Sequence, residues 1–212
     1  MTRAYRHLPP LECERGDYAI RCVESDDIEA IRYWRNSQME VLRQREVITA
    51  EAQTRYFKET IWPQMNEARP NTILVTVLYQ GERIGYGGLV HCAWAHRRAE
   101  ISILFDPAIA ARREKYRSAL LAFLDMIGAI GFGRLGFNRL TLETYAFRSF
   151  HIRVLEEAGY ACEGRLREHV SVGGRLVDSL LHARLASDHT DLASPALSSA
   201  TRSIRVPAGG GS

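Results

Sequence analysis

Four cations, Arg112, Arg113, Lys115 and Arg117, fall within six residues, and a strongly apolar run, ALLAFLDMIGAI, follows them. That run repeats Leu120, Leu121, Phe123, Leu124, Ile127 and Ile130 at helical spacing. The cations therefore stand at the mouth of a helix, after a turn at Asp106-Pro107. A helix N-terminus presents unpaired N–H groups and a partial positive charge. Cations placed there make a site for an anion, phosphate above all. The plainer alternative is a solvated cationic turn. Elsewhere, His91 and His96 fall in HCAWAHRR, which reads as a loop, and two histidines at that spacing do not make a metal site. Cys13, Cys22, Cys92 and Cys162 show no CxxC or CxH spacing, so no metal is expected, and scattered thiols suit the cytoplasm.

The elements that must position these residues read as mixed α and β. YAIRCV (18–23) is a strand, and Ser25 is placed to cap the helix DDIEAIRYWRNS, with Ile28, Ile31 and Trp34 on one face. Thr49 is placed to cap AEAQTRYFKETI, which is expected to stop at Trp62-Pro63. TILVTVLY (72–79) and RIGYGGLV (83–90) flank Gln80-Gly81-Glu82 as a hairpin, and RAEISILF (98–105) is a further strand. The apolar helix is expected to fray through Gly128, Gly131, Gly133 and Gly136. RLTLETYA (139–146) alternates as a strand, and SFHIRVLEEAG is a short helix closed by Gly159. GRLREHVSV and RLVDSLLHARL flank a two-residue turn at Gly173-Gly174. The order β-α-α-β-β-β-α-β-α-β-β predicts an α+β fold, one largely antiparallel central sheet flanked by helices.

At 212 residues the chain predicts one domain, over 18–187, after an irregular lead-in (1–17) and before a disordered tail (188–212) that lacks an apolar period. A net charge of +3 is too mild to argue for nucleic acid. The first residues lack the apolar core of a signal peptide, and no run of about 18 apolar residues predicts a membrane span.

Four stretches together resemble the GNAT acyltransferase superfamily: YWRNSQMEV (33–41), AEISILFDP (99–107), NRLTLETYAF (138–147) and RVLEEAGYACEGRLREHVSVGGRLVDSLLHARL (153–185). They are similar to the branch that holds ribosomal-protein N-terminal and nucleotide-sugar acetyltransferases. The resemblance spans roughly residues 18 to 186 and implies acetyl-CoA, or another acyl-CoA, as co-substrate. It implies a cofactor site along Ile103, Leu104 and Phe105 and at Arg112, Arg113, Lys115, Tyr116, Arg117 and Ser118. Relatives carry a glycine-rich loop there, whose backbone N–H groups hold the pyrophosphate. In this sequence the expected glycines are Arg113, Lys115 and Arg117. Either side-chain cations replace some backbone donors, or the cofactor site has decayed.

Acetyl transfer to an amine needs a general base, a donor for the developing negative charge and an acid for the leaving thiolate. The resemblance places Leu155, which donates no proton, where many relatives have a tyrosine. His151 falls at a position where the closer branch has serine, and its chemistry suits proton transfer. Glu100, flanked by Ile101, Ile103 and Leu104, is the candidate base. Glu143 and Tyr145 share one strand face and are expected in the same cleft, Tyr145 as a catalytic and Glu143 as a substrate-side candidate. Trp34, Arg35 and Asn36 are the remaining substrate-side candidates, with Arg35 suited to an anionic group. The expected activity is direct N-acylation of a primary amine on a small molecule, an amino sugar or a protein N-terminus. Nothing in the sequence excludes a homodimer. The rival is a non-catalytic protein of the same fold that has lost CoA and acts through a partner.

Overall fold

The computed structural model describes residues 3–190. Its sheet has eight strands: β1 (Cys13–Arg15), β2 (Tyr18–Cys22), β3 (Ile73–Tyr79), β4 (Glu82–Ala93), β5 (Arg98–Phe105), β6 (Arg139–Tyr145), β7 (Ala161–Val172) and β8 (Arg175–Leu185). Their order across the sheet is β1-β2-β3-β4-β5-β6-β8-β7. Every neighbouring pair is antiparallel except β5 and β6. The mixed, largely antiparallel sheet expected from the element order is the fold observed.

Helices cover the sheet: α1 (Ile28–Asn36) packs on β4 and β5, and α5 (Arg113–Gly128) on β1 and β2. Ile31 and Trp34 are buried on the face of α1 that their spacing marked. The cap of this helix is not Ser25. Glu24 and Asp27 form a reciprocal capping box instead. Asp27 is fully buried, and its carboxylate also accepts from Arg21 at 2.7 Å and from the Thr76 hydroxyl at 2.7 Å, tying the helix start to β2 and β3. Thr49 caps α2 (Ala50–Tyr56) as expected, accepting from the Ala52 N–H at 3.1 Å. Pro63 does not stop this helix. The ladder widens into a π turn over Phe57–Ile61, and Pro63 falls in the first turn of α3 (Trp62–Gln64), where a missing N–H costs little.

The expected lead-in is irregular over much of its length but not loose. Tyr5 and Leu11 are buried, the Tyr5 hydroxyl accepts from the Leu74 N–H at 2.8 Å, and β1 was not foreseen. The stretch read as a loop at His91 is the end of β4, followed by a 3-10 turn over Trp94–His96. After the short α4 (Pro107–Ala110), the long helix does not fray at Gly128 but continues through a π turn to Arg134; Gly136, at φ 71, then reverses the chain. The run Arg113–Arg134 has the length and composition of a membrane span, but 61% of its most apolar 18-residue window is buried in this fold as the core helix. The two-residue turn at Gly173-Gly174 has both φ values positive, at 56 and 78, as its hairpin geometry requires. After α6 (Ser149–Glu157) and the β7–β8 hairpin, Ala186–Thr190 form α7, and the His189 ring packs on Phe132 at 5.1 Å. Helix α7 thus includes the first residues of the expected tail; the rest of that tail lies outside the described residues.

Candidate active site

Strands β5 and β6 pair only at their first residues, Arg98 with Arg139, Ala99 with Leu140 and Glu100 with Thr141. Beyond that point β5 stays paired with β4 through Phe105, and β6 stays paired with β8 through Tyr145. Their facing edges separate, leaving a wedge with unpaired backbone groups. Two cavities, of about 360 and 240 Å³, are lined by β5 beyond this point, and a third, of about 520 Å³, adjoins them under α1 and α2. The first and the middle cavity share Val41, Ile103, Arg148 and His151. The middle and the third share Val90, His91 and Ser102. Shared walls set the three side by side, and the row they form from α5 to the α1–α2 side is the passage.

At the α5 end the wall is apolar, from Ile103, Leu104, Phe105, Phe147 and Phe150, around a polar chain of three residues. Arg148 Nη2 donates to the Tyr116 hydroxyl at 3.1 Å, and Tyr116 lies 2.6 Å from His151 Nδ1. With the arginine donating to the oxygen, the tyrosine proton is free to be given to Nδ1, which goes with the imidazole tautomer protonated on Nε2. Burial, together with the nearby charge of Arg148 and with His182, holds His151 well below the usual histidine range. Burial raises the Tyr116 hydroxyl, and Arg148 works against it.

The expected cationic cluster divides. Arg112 and Arg113 are exposed at the start of α5, with Arg113 over the Phe150 ring at 5.5 Å. Arg112 is the N-cap and supplies no side-chain acceptor, so the first-turn N–H groups are left uncapped. Lys115 and Ser118 line a separate cavity with Tyr18 and Tyr79. Arg117 is ion-paired with Glu157 on α6. None of Arg113, Lys115 and Arg117 stands among the residues with positive φ. Losing glycine there adds side chains near the helix mouth but forces no strained backbone.

The middle cavity brings together Glu100, Glu143 and Tyr145, as the strand pattern implied, with His91 and Arg43. His91 occupies a bulge in β4 at φ 51, and bulges re-aim side chains beside functional sites. Glu143 is ion-paired with Arg43 and lies 3.6 Å from His169. Burial works to raise the Glu143 carboxyl, but Arg43, Ser179 and His169 together outweigh it and the net direction is down. Burial raises the Tyr145 hydroxyl.

Of the three adjacent residues proposed for the acceptor side, only Arg35 lines the passage. Trp34 is a core residue, 3% exposed, stacked on Tyr86 with its indole N–H 2.8 Å from Asp106 Oδ2. Asn36 clasps the following loop, donating to Ile48 O and accepting from Ile48 N, both at 2.9 Å. Successive helical residues point about 100° apart, so three neighbours do not face one cavity.

A family model described as an acetyltransferase (GNAT) domain matches residues 20–181, most of the chain. The chain belongs to the GNAT acetyltransferase family. It is an N-acetyltransferase. No curated protein matches it in sequence. Among solved structures it is similar to spermidine N-acetyltransferase from Vibrio cholerae in complex with CoA and spermine. That match has 20% identity and a TM-score of 0.72, covering 83% of this chain and 99% of the other. A dodecameric structure of the same V. cholerae enzyme matches at 20% identity and a TM-score of 0.68, covering 85% and 100% of the two chains. At these identities the likeness is one of fold.

Within the GNAT frame, several residues of the passage escaped sequence reasoning. Arg148 stands just before α6 and close in sequence to His151, which the resemblance marked. Arg43, Tyr86 and Gln38 had no such signal. Gln38 donates to Phe105 O at 2.8 Å and so holds the end of β5 to the loop after α1.

Proposed function

We propose that this GNAT protein transfers an acyl group, acetyl in the first instance, from acyl-CoA to a primary amine by direct attack. The observation that carries the reading is the single passage along the β5–β6 wedge, with Glu100 at its middle and α5 at one end. The α5 end fits the co-substrate: uncapped first-turn N–H groups beside Arg112 and Arg113 suit a pyrophosphate, and the unpaired edge of β5 with its apolar wall suits an amide-bearing arm. Acyl-CoA supplies a thioester, whose C–S bond breaks as the acceptor N–C bond forms. Glu100 takes the proton from the amine nitrogen. Tyr145, or the Arg148–Tyr116–His151 chain, holds a proton at the wall for the departing sulfur. Direct transfer is supported by the thiols: burial pushes Cys22 up to about 11 and Cys92 up to about 12, and neither lines the passage.

The C-terminal pattern from Arg153 to Leu185 favours the ribosomal-protein and nucleotide-sugar branch. The acceptor is an amine of a small molecule, an amino sugar or a protein N-terminus. The four free thiols support a cytoplasmic setting.

The test is twofold. Acetyl-CoA should raise the melting temperature, with about 2.7 kcal/mol of stabilisation at a hundredfold excess over Kd, and release of free thiol should depend on added amine. Absence of heat and of any melting shift at low salt overturns the reading in favour of a non-catalytic protein.

A further inference from the structure

The acceptor-side cavity is the most capacious of the three, at about 520 Å³, within the usual range for small-molecule sites. Among the described residues, no Asp or Glu lines it. Its walls are apolar and aromatic, from Ile48, Tyr56, Phe57, Leu74 and Tyr86. Arg35 is its only arginine or lysine. The guanidinium is half-buried and rests on neutral partners, the Tyr86 hydroxyl at 2.8 Å and Gln44 Oε1 at 3.1 Å. No carboxylate among the described residues stands as its ion-pair partner. A cation withdrawn from water without an anion is costly, and a ligand anion would remove that cost.

The opposite charge lies in the adjoining middle cavity. Glu100 lines only the middle cavity, and Arg35 only the acceptor cavity. Of the two carboxylates in the middle cavity, Glu143 is already answered by Arg43. Glu100 makes no ion pair among the described residues. From its middle outward the passage thus offers a carboxylate for an amine, an apolar stretch, and a cation at the acceptor end.

Resting on the transferase reading above, we propose that the acceptor is a primary amine whose apolar body carries a carboxylate at its far end, held by Arg35. A polyamine fits poorly, because its second ammonium would lie beside Arg35 with no carboxylate on the cavity wall to receive it. Specificity of this kind acts by repulsion as well as attraction.

The matched probes are 4-(aminomethyl)benzoate and benzylamine, which differ only by the carboxylate, with spermidine as the polycation. Thiol release from acetyl-CoA gives KM and kcat, and calorimetry on the CoA complex gives affinity without turnover. The expected result is a KM and a Kd for 4-(aminomethyl)benzoate about tenfold or more below those for benzylamine, with spermidine weakest. Arg35→Gln should erase the tenfold difference, and Arg35→Lys should keep part of it. The CoA-induced melting shift reports that each variant is folded.

Turnover of spermidine at least as efficient as that of 4-(aminomethyl)benzoate, or equal treatment of the matched pair, overturns this inference and leaves the transferase reading standing. A preference that survives Arg35→Gln also overturns it. Failure of every amine to release thiol, with a carboxylate preference still visible by calorimetry, overturns the transferase reading and keeps the site. Failure of every amine both to turn over and to bind overturns both.

Discussion

At the acceptor end of the passage, the polar side chains are pinned by neighbours. Arg35 rests on Tyr86 and Gln44, and the next residue, Asn36, holds the loop behind it through Ile48. At the α5 end, Arg112 and Arg113 stand exposed, with no ion-pair partner among the described residues, over an uncapped helix start. The first arrangement fixes shape, since buried hydrogen bonds are costly to leave unmade. The second sets up a field, which reaches further but is screened by salt. Selectivity should therefore reside at the acceptor end, and salt-sensitive capture at the α5 end.

The largest effect should come from the point that belongs to neither end. Glu100→Gln should lower kcat by about a hundredfold to ten-thousandfold, the usual range for a lost general base, while the melting shift with acetyl-CoA persists. A kcat within a few-fold of the parent would move the base elsewhere in the middle cavity. Next, Arg112→Ala and Arg113→Ala should each weaken acetyl-CoA binding by about tenfold to a hundredfold, from the loss of charge-assisted hydrogen bonds. Titration at two salt concentrations checks the comparison directly: the parent should lose affinity more steeply with salt than either variant, with acceptor KM unmoved. Asn36→Ala should do the reverse. Freed of its clasp on Ile48, the loop over residues 37–48 loosens; acceptor KM should rise several-fold and CoA affinity should hold.

Most of the fold was legible in the sequence because local chemistry agreed with tertiary packing. Thr49, the Gly173-Gly174 turn and the alternation in 139–145 each met the partners that they advertised. The failures lie where a distant residue decided the outcome. Asp27 took the capping role from Ser25 because Arg21 and Thr76 hold it. The site was less legible. Glu100, Glu143, Tyr145 and His151 meet on one cavity because the splayed strands and α6 bring them there, and strand alternation already hinted at it. The run of cations gave no hint of its own division, in which Lys115 and Ser118 share one helix face and Tyr116 takes another.

Between the two ends, the buried histidine introduces a pH dependence whose sign is fixed. His151, His182 and His189 are all lowered by burial, so the unfolded chain takes up protons first as pH falls. Their contribution to stability is full above about pH 6.5 and is lost as pH drops below that value toward the folded-state ones. For His151, which is lowered furthest, the slope reaches about 1.4 kcal/mol per pH unit. His151→Asn should flatten the melting curve between about pH 6.5 and 5, measured by thermal scans at fixed ionic strength; an unchanged slope would assign the acid sensitivity to the other two histidines.

The smallest effect separates a cation in the cluster from one that serves it. Arg117 stands five residues after Arg112 in the sequence, but in the fold its guanidinium is held by the Glu157 carboxylate on α6. A paired cation projects little field toward an incoming phosphate. Arg117→Ala alone should therefore change acetyl-CoA affinity by less than about threefold, in the range of exposed ion pairs. Glu157→Ala releases the guanidinium beside the α5 mouth, and affinity should then rise modestly at low salt. In that background Arg117→Ala should cost more than it does in the parent, because the two residues share one interaction and their effects do not add. Equal costs in both backgrounds would mean that Arg117 already reaches the phosphate past Glu157. The α5 end would then hold its anion with three cations, and the contrast with the pinned acceptor end would be sharper still.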